Sequence, residues 1–157
     1  MKWSEKMKVK KIVILLIASV LVSCASLDRI DPEPFVYVYE MSRKWSQDEI
    51  FKKARLWIAE TYVSFKDVIT FDDQNAGVIK GSGRGEVYLE GGWFTYSSDY
   101  EYSYQISIYC KDEKTKIEFS IIERGSMKRV VYDAIKVEFD ALAENYFWSF
   151  FQQLGDW

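Results

Sequence analysis

The chain has 157 residues, the length of a single domain with room for a sizeable core, and 48% of them are hydrophobic. That hydrophobic content excludes a disordered chain. Histidine is absent, which excludes Ser-His-Asp and Cys-His catalysis and His-ligated zinc. Residues 1–23 contain five lysines and one glutamate, whereas residues 24–157 contain 16 basic and 23 acidic side chains and carry a formal charge of −7. A body this acidic argues against a nucleic-acid partner, because phosphate binding needs clustered Lys and Arg.

The N-terminus has the organisation of a secretory signal. A basic stretch at residues 1–11 precedes an apolar run at residues 12–22, which is too short to span a membrane. The run ends in Leu21-Val22-Ser23-Cys24, which resembles the lipobox of bacterial lipoproteins. The resemblance implies that Cys24 is lipidated and anchors the mature chain to a membrane. The alternatives are an ordinary signal peptide with an incidental cysteine, or a buried strand. Since inner-membrane retention favours Asp at the position of Ala25, the resemblance favours the outer membrane over the inner membrane.

Hydrophobic patterning predicts a strand, a helix, four strands and a final helix in the mature chain. Residues 35–40 are rich in aromatic and β-branched side chains, and Ser46-Gln47-Asp48-Glu49 matches the capping box that starts a helix. Further strands are predicted at residues 68–71, at 78–89 as one or two strands interrupted by glycines, at 100–110 and at 115–123. The final helix is predicted to begin between Asp133 and Asp140 and to end near Leu154. Its apolar stripe is Phe139, Leu142, Ala143, Tyr146, Phe147, Phe150 and Leu154.

This order of elements predicts an α+β fold, because the strands follow one another rather than alternating with helices. Consecutive strands joined by short turns are antiparallel neighbours. We therefore expect an antiparallel sheet of about five strands, with both amphipathic helices packed on one face. The predicted organisation is a signal peptide at residues 1–23, a lipidated N-terminus and tether at 24–34, and one domain at 35–157.

Five stretches of the domain, taken together, resemble a known family. They are Phe35-Val36-Tyr37, Ser46-Gln47-Asp48-Glu49-Ile50-Phe51, Ala54-Arg55-Leu56-Trp57-Ile58, Val68-Ile69, and Asp73 followed by Ala76-Gly77-Val78-Ile79-Lys80-Gly81-Ser82-Gly83. The family is a bacterial envelope family of unknown function that is described as having a TBP-like fold. The resemblance implies a TBP-like topology (β-α-β4-α) and a location in the cell envelope. It implies no catalytic residue, because the family has no assigned activity, and no DNA binding, because TBP-like names a topology only.

Two short motifs look like ligand sites but are better explained as structure. Gly81-Ser82-Gly83-Arg84-Gly85 is similar to a phosphate-binding loop, but strand-like residues follow it instead of a helix, which favours bulges or a bent strand. Asp72 and Asp73 with Asn75 could hold calcium, but an EF-type loop needs further oxygen ligands, and turn residues are favoured. We therefore expect no metal, no cofactor and no catalytic residue.

Cys110 lies at the end of the predicted strand at residues 100–110. The period-two pattern places it on the same face as Tyr102, Tyr104, Ile106 and Ile108. We therefore expect a buried structural thiol rather than a reactive one, because reactivity requires exposure and a lowered pKa.

Aromatic density is the remaining unusual feature. Trp93, Phe94 and Tyr96 lie in a stretch flanked by Gly and Ser and are hard to bury, and Trp148 falls off the stripe of the final helix. Such residues close the sheet edge, touch the membrane surface, or contact a sugar, a lipid or a protein partner.

The function expected from these observations is that of a membrane-anchored envelope lipoprotein. We expect it to act without catalysis, as a binding or structural module with a possible envelope protein partner and no nucleic acid. The alternative is a periplasmic carrier that holds a small apolar or sugar ligand in the cleft between sheet and helices.

Overall fold

The computed structural model describes residues 28–41, 43–62, 68–90, 97–123 and 125–152. Its elements in chain order are β1 (Arg29–Ile30), β2 (Phe35–Glu40), α1 (Gln47–Thr61), β3 (Ile69–Asp73), β4 (Val78–Leu89), β5 (Ser98–Lys111), β6 (Lys114–Ile121), β7 (Met127–Lys128) and α2 (Arg129–Gln152). The predicted order of strand, helix, four strands and helix is confirmed from β2 to α2. The short strands β1 and β7 were not predicted, and the signal peptide lies outside the described residues.

The main sheet contains five antiparallel strands in the order β2-β6-β5-β4-β3. Helix α1 contacts β5 and β6, while α2 contacts β2 and β4 and also packs against α1. Each strand from β3 to β6 pairs with the next one along the chain, and β2 pairs with β6 after the chain has crossed over through α1. The predicted class, α+β with two helices on one face of a five-stranded antiparallel sheet, is confirmed.

The start of α1 follows from the predicted capping box. The backbone amide of Glu49 donates to the Ser46 hydroxyl at 3.3 Å, and the Ser46 amide donates to the Glu49 carboxylate at 2.9 Å. Both amides at the helix N-terminus are thereby satisfied. The buried residues recur at three- and four-residue spacings: Ile50, Phe51, Ala54, Trp57 and Ile58.

Helix α2 begins at Arg129, earlier than the predicted window between Asp133 and Asp140, so that boundary was wrong. The cause is a tertiary contact, because the Arg129 amide donates to the Asp28 carbonyl at 2.8 Å and the first turn is supported by a distant part of the chain. Local patterning contains no sign of this contact.

The buried stripe of α2 is longer than predicted at its start. Its fully buried members are Val131, Ile135, Phe139, Ala143, Tyr146 and Phe150. Leu142 and Phe147, which were predicted on the stripe, are only partly buried, and Leu154 lies outside the described residues. Phe147 remains in contact with the sheet, because its ring stacks on Tyr39 with centroids 4.8 Å apart.

A two-residue ladder fastens the N-terminal segment to the start of α2. Arg29 pairs with Lys128 and Ile30 with Met127 in antiparallel register. The Arg29 guanidinium also donates to the Ser126 carbonyl at 2.8 Å. Residues 29 and 30, which lie inside the range predicted as a tether, are therefore part of the folded domain.

Aromatic rings fill the space between the sheet and α2. Phe139 stacks on Phe119 of β6, with ring centroids 4.6 Å apart and planes 6° apart. The rings of Phe35, Tyr104 and Tyr102 approach Phe139 edge-on, at 5.3, 5.1 and 5.8 Å between centroids. Both stacked and edge-on geometries are favourable for aromatic pairs. This packing confirms that the final helix lies across the predicted face of the sheet.

Strand β4 is continuous through its glycines, which make room for two tyrosine rings. The register places Gly83 opposite Tyr104 and Gly85 opposite Tyr102. A Cβ atom at residue 83 would lie 2.5 Å from Cζ of Tyr104, and one at residue 85 would lie 2.4 Å from Cζ of Tyr102. The predicted interruption is wrong, because the tyrosine rings occupy the places of the missing side chains. The register shift lies in the neighbouring strand β3 instead.

Candidate functional site: the open face of the sheet

The sheet face opposite the helices is exposed to solvent in the part of the chain that the structure describes. Side chains alternate between the two faces along every strand, so the register identifies those on this face. Two rows across the sheet, from β2 to β3, read Val38, Lys116, Tyr109, Val78, Asp73 and Val36, Glu118, Ser107, Lys80, Phe71. A third row, from β6 to β4, reads Ser120, Gln105, Ser82. We call this surface the open face.

The open face mixes polar and apolar side chains. Its central strands β4, β5 and β6 carry serine and glutamine side chains together with Tyr109 and Val78, and Ser107 is buried among its neighbours, with 8% of its surface exposed. On the edge strand β2, Val36 and Val38 are 52% and 51% exposed, and on the edge strand β3, Phe71 is 49% exposed. Large apolar side chains that are half exposed on a sheet face are available for contact with another molecule.

The open face carries almost no net charge, in contrast with the rest of the molecule. It has five basic and six acidic side chains, namely Lys80, Arg84, Lys111, Lys114, Lys116, Glu40, Asp73, Glu86, Asp99, Glu101 and Glu118. Its formal charge is therefore −1, and most of the charge of −7 carried by residues 24–157 lies outside this surface. A negatively charged partner is repelled less by the open face than by the remainder of the domain.

Lysines concentrate at the corner of the open face where β2, β6 and β5 meet. The Lys116 ammonium lies 3.1 Å from the Glu118 carboxylate and 4.1 Å from the centre of the Tyr109 ring. Lys114 pairs with Glu40 at 3.0 Å. A shallow pocket of about 310 Å³ lies here and is lined by Val38, Tyr109, Lys111, Lys114, Thr115 and Lys116.

Strands β4 and β5 extend beyond their neighbours as a two-stranded arm. Residues 84–89 of β4 pair with residues 98–103 of β5, past the ends of β3 and β6. A cleft of about 620 Å³ lies at the root of this arm. It is lined by Arg84, Gly85, Glu86, Glu101, Tyr102, Ser103, Ile122 and Glu123.

Tyrosine hydroxyls bind carboxylates beside this cleft. Tyr102 donates to Glu138 of α2 at 2.5 Å, and Tyr100 donates to Glu123. Burial, helped by the bond to Glu123, raises the pKa of Tyr100 to about 12. The same two causes, burial and the bond to Glu138, raise the pKa of Tyr102 above its usual range. Both phenols therefore act as hydrogen-bond donors: Tyr102 ties the arm to α2, and Tyr100 ties it to the segment after β6. Neither is suited to act as a base near neutral pH.

The acidic turn after β3 serves the fold. The Asp73 carboxylate accepts the Ala76 amide at 3.0 Å, and the Asp72 carboxylate lies 3.1 Å from the Arg55 guanidinium. Asp73 thus stabilises the turn at residues 74–77, while Asp72 links β3 to α1. Within the described ranges, no group of three or more Cys, Asp or Glu side chains is arranged to hold a metal ion.

The structure gives different outcomes for the predicted contact residues. Cys24, Trp93, Phe94 and Tyr96 lie outside the described residues. Trp148 is 52% exposed on the outer side of α2, and its indole donates to Glu144 at 3.3 Å. It therefore lies on the helical side of the molecule, away from the open face. None of the described helices has the length and apolar character needed to cross a membrane.

The groove between the two helices is the nearest feature to the cleft proposed for a carrier. It has a volume of about 480 Å³ and is lined by Trp57, Glu60, Thr61, Ala141, Leu142, Asn145 and Ser149. The Trp57 indole donates to the Asn145 side chain at 2.8 Å and links the two walls. The groove thus opens to the outside, while the interior below it is filled by the ring stack around Phe139.

Cys110 is buried, as predicted, with 1% of its surface exposed. Burial raises the pKa of its thiol to about 12, against a lowering contribution from the Thr115 hydroxyl. A thiol that stays protonated at neutral pH is a poor nucleophile, so this cysteine is structural.

Sequence reasoning missed the open face as a candidate site. The signal was present in β5, where Ser103, Gln105 and Ser107 alternate with the buried residues. That alternation predicts a sheet with one exposed face, but the charge balance of the face depends on which strands are neighbours, and only the register supplies this.

Comparison with known proteins identifies the family. The profile of a family described as "Domain of unknown function (DUF4468) with TBP-like fold" matches residues 41–124, more than half of the chain. The chain belongs to this family. The DUF4468 region includes α1 and β3 to β6, so it covers four strands of the open face. A search of functionally curated proteins finds no match.

Two solved structures show the same fold. One is a TBP-like protein from Parabacteroides distasonis, with a TM-score of 0.58 and 16% identity over 74% of this chain and 90% of that one. The other is a DUF4468 family protein from Bacteroides ovatus, with a TM-score of 0.51 and 18% identity over 80% of this chain and 90% of that one. The predicted TBP-like topology is thereby confirmed, and identities this low carry the fold alone.

Proposed function

We propose that this protein is a lipid-anchored lipoprotein of the cell envelope that binds a macromolecular partner through the open face, without catalysis. The observation that carries the proposal is the sheet face left uncovered by the described residues, with half-exposed apolar side chains on both edge strands and almost no net charge. A broad exposed surface of this kind suits a large partner better than a small ligand, which needs an enclosing pocket.

The anchor is supported by the order of basic start, short apolar run and Leu21-Val22-Ser23-Cys24. A lipidated Cys24 precedes the first paired residue, Arg29, by five positions, so the domain stands close to the bilayer. Ala25 favours the outer membrane. In this setting the partner is another envelope component, and the charge of −7 on residues 24–157 disfavours nucleic acid.

Site-specific cross-linking in intact cells tests the proposal. A photoreactive amino acid replaces Gln105, which is exposed at the centre of the open face, or Val137, which is 67% exposed on the outer side of α2. Both variants keep the wild-type anchor and expression level. We expect discrete adducts from residue 105 and none from residue 137. Adducts from residue 137 alone, or from neither position, would contradict the open face as the binding surface.

The anchor is tested separately with Cys24→Ala in the same cells. We expect the variant to leave the membrane fraction and to lose palmitate incorporation, while its far-UV circular dichroism matches that of wild type. Retention of the variant with unchanged acyl labelling would refute the lipobox.

The carrier alternative is disfavoured by the ring stack between sheet and helices. A carrier predicts stabilisation by an added fatty acid or sugar, because a ligand that binds only the native state raises the free energy of unfolding. An unchanged melting temperature with a panel of such ligands separates the two functions.

A further inference from the structure

The two edges of the main sheet are protected to different degrees. The edge strand β3 has a register shift between Ile69 and Phe71 and ends in two aspartates, which are devices that discourage pairing with another chain. The edge strand β2 reads Phe-Val-Tyr-Val-Tyr-Glu, and it pairs in unbroken register with β6 from Phe35 to Glu40. Its only charge is at the last residue, and within the described ranges no strand pairs with its outer side, so β2 lacks the protective features of β3.

Helix α2 runs alongside β2 for the whole length of the strand. The Phe35 ring stacks on Tyr132 at 4.8 Å between centroids. Near the middle of the strand, the Tyr37 hydroxyl donates to Asp140 at 2.6 Å. At the far end, Tyr39 stacks on Phe147. The helical positions from 132 to 147 thus follow the strand from its start to its end, and both elements are about 20 Å long here.

The side of α2 next to this edge has a self-complementary charge pattern. Lys136 and Glu144 lie four residues before and four residues after Asp140, the residue bound by Tyr37. The Asp140 carboxylate is itself held by Lys136 at 2.7 Å. A two-fold axis between the two copies, level with Tyr37 and Asp140, would therefore bring Lys136 of each copy towards Glu144 of the other.

The same axis makes β2 complementary to itself. Antiparallel pairing centred on Tyr37 places Val36 opposite Val38 of a second copy, and Val38 opposite Val36. Four half-exposed valines would then meet on the open face, where each copy alone leaves two in water. One placement of the axis thus gives three kinds of contact between the copies: hydrogen bonds between the two β2 strands, contacts between the valines, and the Lys136–Glu144 pairs.

We propose that β2 pairs with β2 of a second copy of this chain, which joins two five-stranded sheets into one ten-stranded sheet with a continuous open face. The interface consists of one short strand and one side of a helix, so it falls at the small end of specific interfaces and predicts reversible, weak dimerisation. Confinement of both copies to a membrane would favour pairing further. The inference does not depend on which partner the open face binds.

Sedimentation equilibrium of the full chain in density-matched detergent tests the dimer. The variant Val36→Lys places a charge at the proposed interface. Within its own chain the new lysine lies opposite Glu118, which favours a positive charge there, so the fold should be preserved. The matched control is Phe71→Glu on the opposite edge, beside Lys80 and with similar exposure. We expect Val36→Lys to raise the dissociation constant about tenfold or more and Phe71→Glu to leave it within about twofold.

Disulfide trapping in intact cells tests the register. Directly opposed residues of an antiparallel pair lie within disulfide range, so the double variant Val36→Cys/Val38→Cys should give a reducible dimer. The single variant Val36→Cys should give far less, because residue 36 faces residue 38 and not itself. Phe71→Cys serves as the control for random collision. A monomeric wild-type chain, equal effects of the two edge variants, or equal trapping by the double variant and by Phe71→Cys would overturn the proposal.

Discussion

The ring stack around Phe139 makes a quantitative prediction for the variant Phe139→Ala. Phe139 is fully buried and contacts four aromatic rings, from β2, β5 and β6. Loss of its buried apolar surface costs about 2–3 kcal/mol of transfer free energy. Loss of the stacked and edge-on geometry adds about 0.5–1.5 kcal/mol. Because neighbouring β-strands prevent full collapse of the cavity, we expect the free energy of unfolding to fall by about 3–5 kcal/mol.

The assay is urea unfolding of a soluble chain that begins at residue 25, followed by circular dichroism and by tryptophan fluorescence. The half-buried Phe147 gives the first comparison, and Phe147→Ala should cost about 1–2 kcal/mol, because only part of its surface leaves water. The exposed Val137 gives the second, and Val137→Ala should stay within about 0.5 kcal/mol of wild type. A loss below about 1 kcal/mol for Phe139→Ala would refute the packed interior, as would equal losses for Phe139 and Phe147.

Three other predictions follow from single features of the structure. Gly85→Ala should destabilise the domain by about 1–2 kcal/mol in the same assay, because its Cβ would overlap the Tyr102 ring that Glu138 holds in place, whereas Ser82→Ala should be close to neutral. The free energy of unfolding should fall as pH rises above about 10, because the pKa values of Tyr100 and Tyr102 are raised in the folded chain and the unfolded chain therefore loses these protons first. A free energy of unfolding that stays constant up to pH 11 would contradict the buried, hydrogen-bonded positions of the two phenols. Cys110 should react with a thiol reagent only on unfolding, and rapid stoichiometric labelling of the native chain would show that its strand face is misassigned.

The fold was predictable where local pattern and tertiary structure agree. Ser46 and Glu49 determine the start of α1 through bonds within four residues of each other. The alternation from Tyr102 to Cys110 identifies the buried face of β5 without reference to any other strand. The start of α2 could not be predicted in the same way, because its first amide is bound by Asp28, about a hundred residues away in the chain.

The glycines of β4 illustrate the second limit. Three glycines within five residues indicate a break when the strand is considered alone. In the sheet, Gly83 lies opposite Tyr104 and Gly85 lies opposite Tyr102, and each tyrosine ring fills the space that a side chain on the glycine would need. Each glycine is therefore explained by its partner on the neighbouring strand. The open face is subject to the same limit, because its low net charge depends on strands that are distant in sequence and adjacent in the sheet.

The ladder between β1 and β7 has a mechanical consequence. Among the described residues, a pull on the chain at residue 28 acts first on two residue pairs and on the bonds from Arg129 to Asp28 and from Arg29 to Ser126, and only then on the six pairs of β2 with β6. A ladder this short opens locally at much lower cost than the main sheet. Its opening would release residues 28–34, which span at most about 25 Å when extended, and would leave β2 in place. A domain held by its N-terminus would then gain reach without unfolding its sheet.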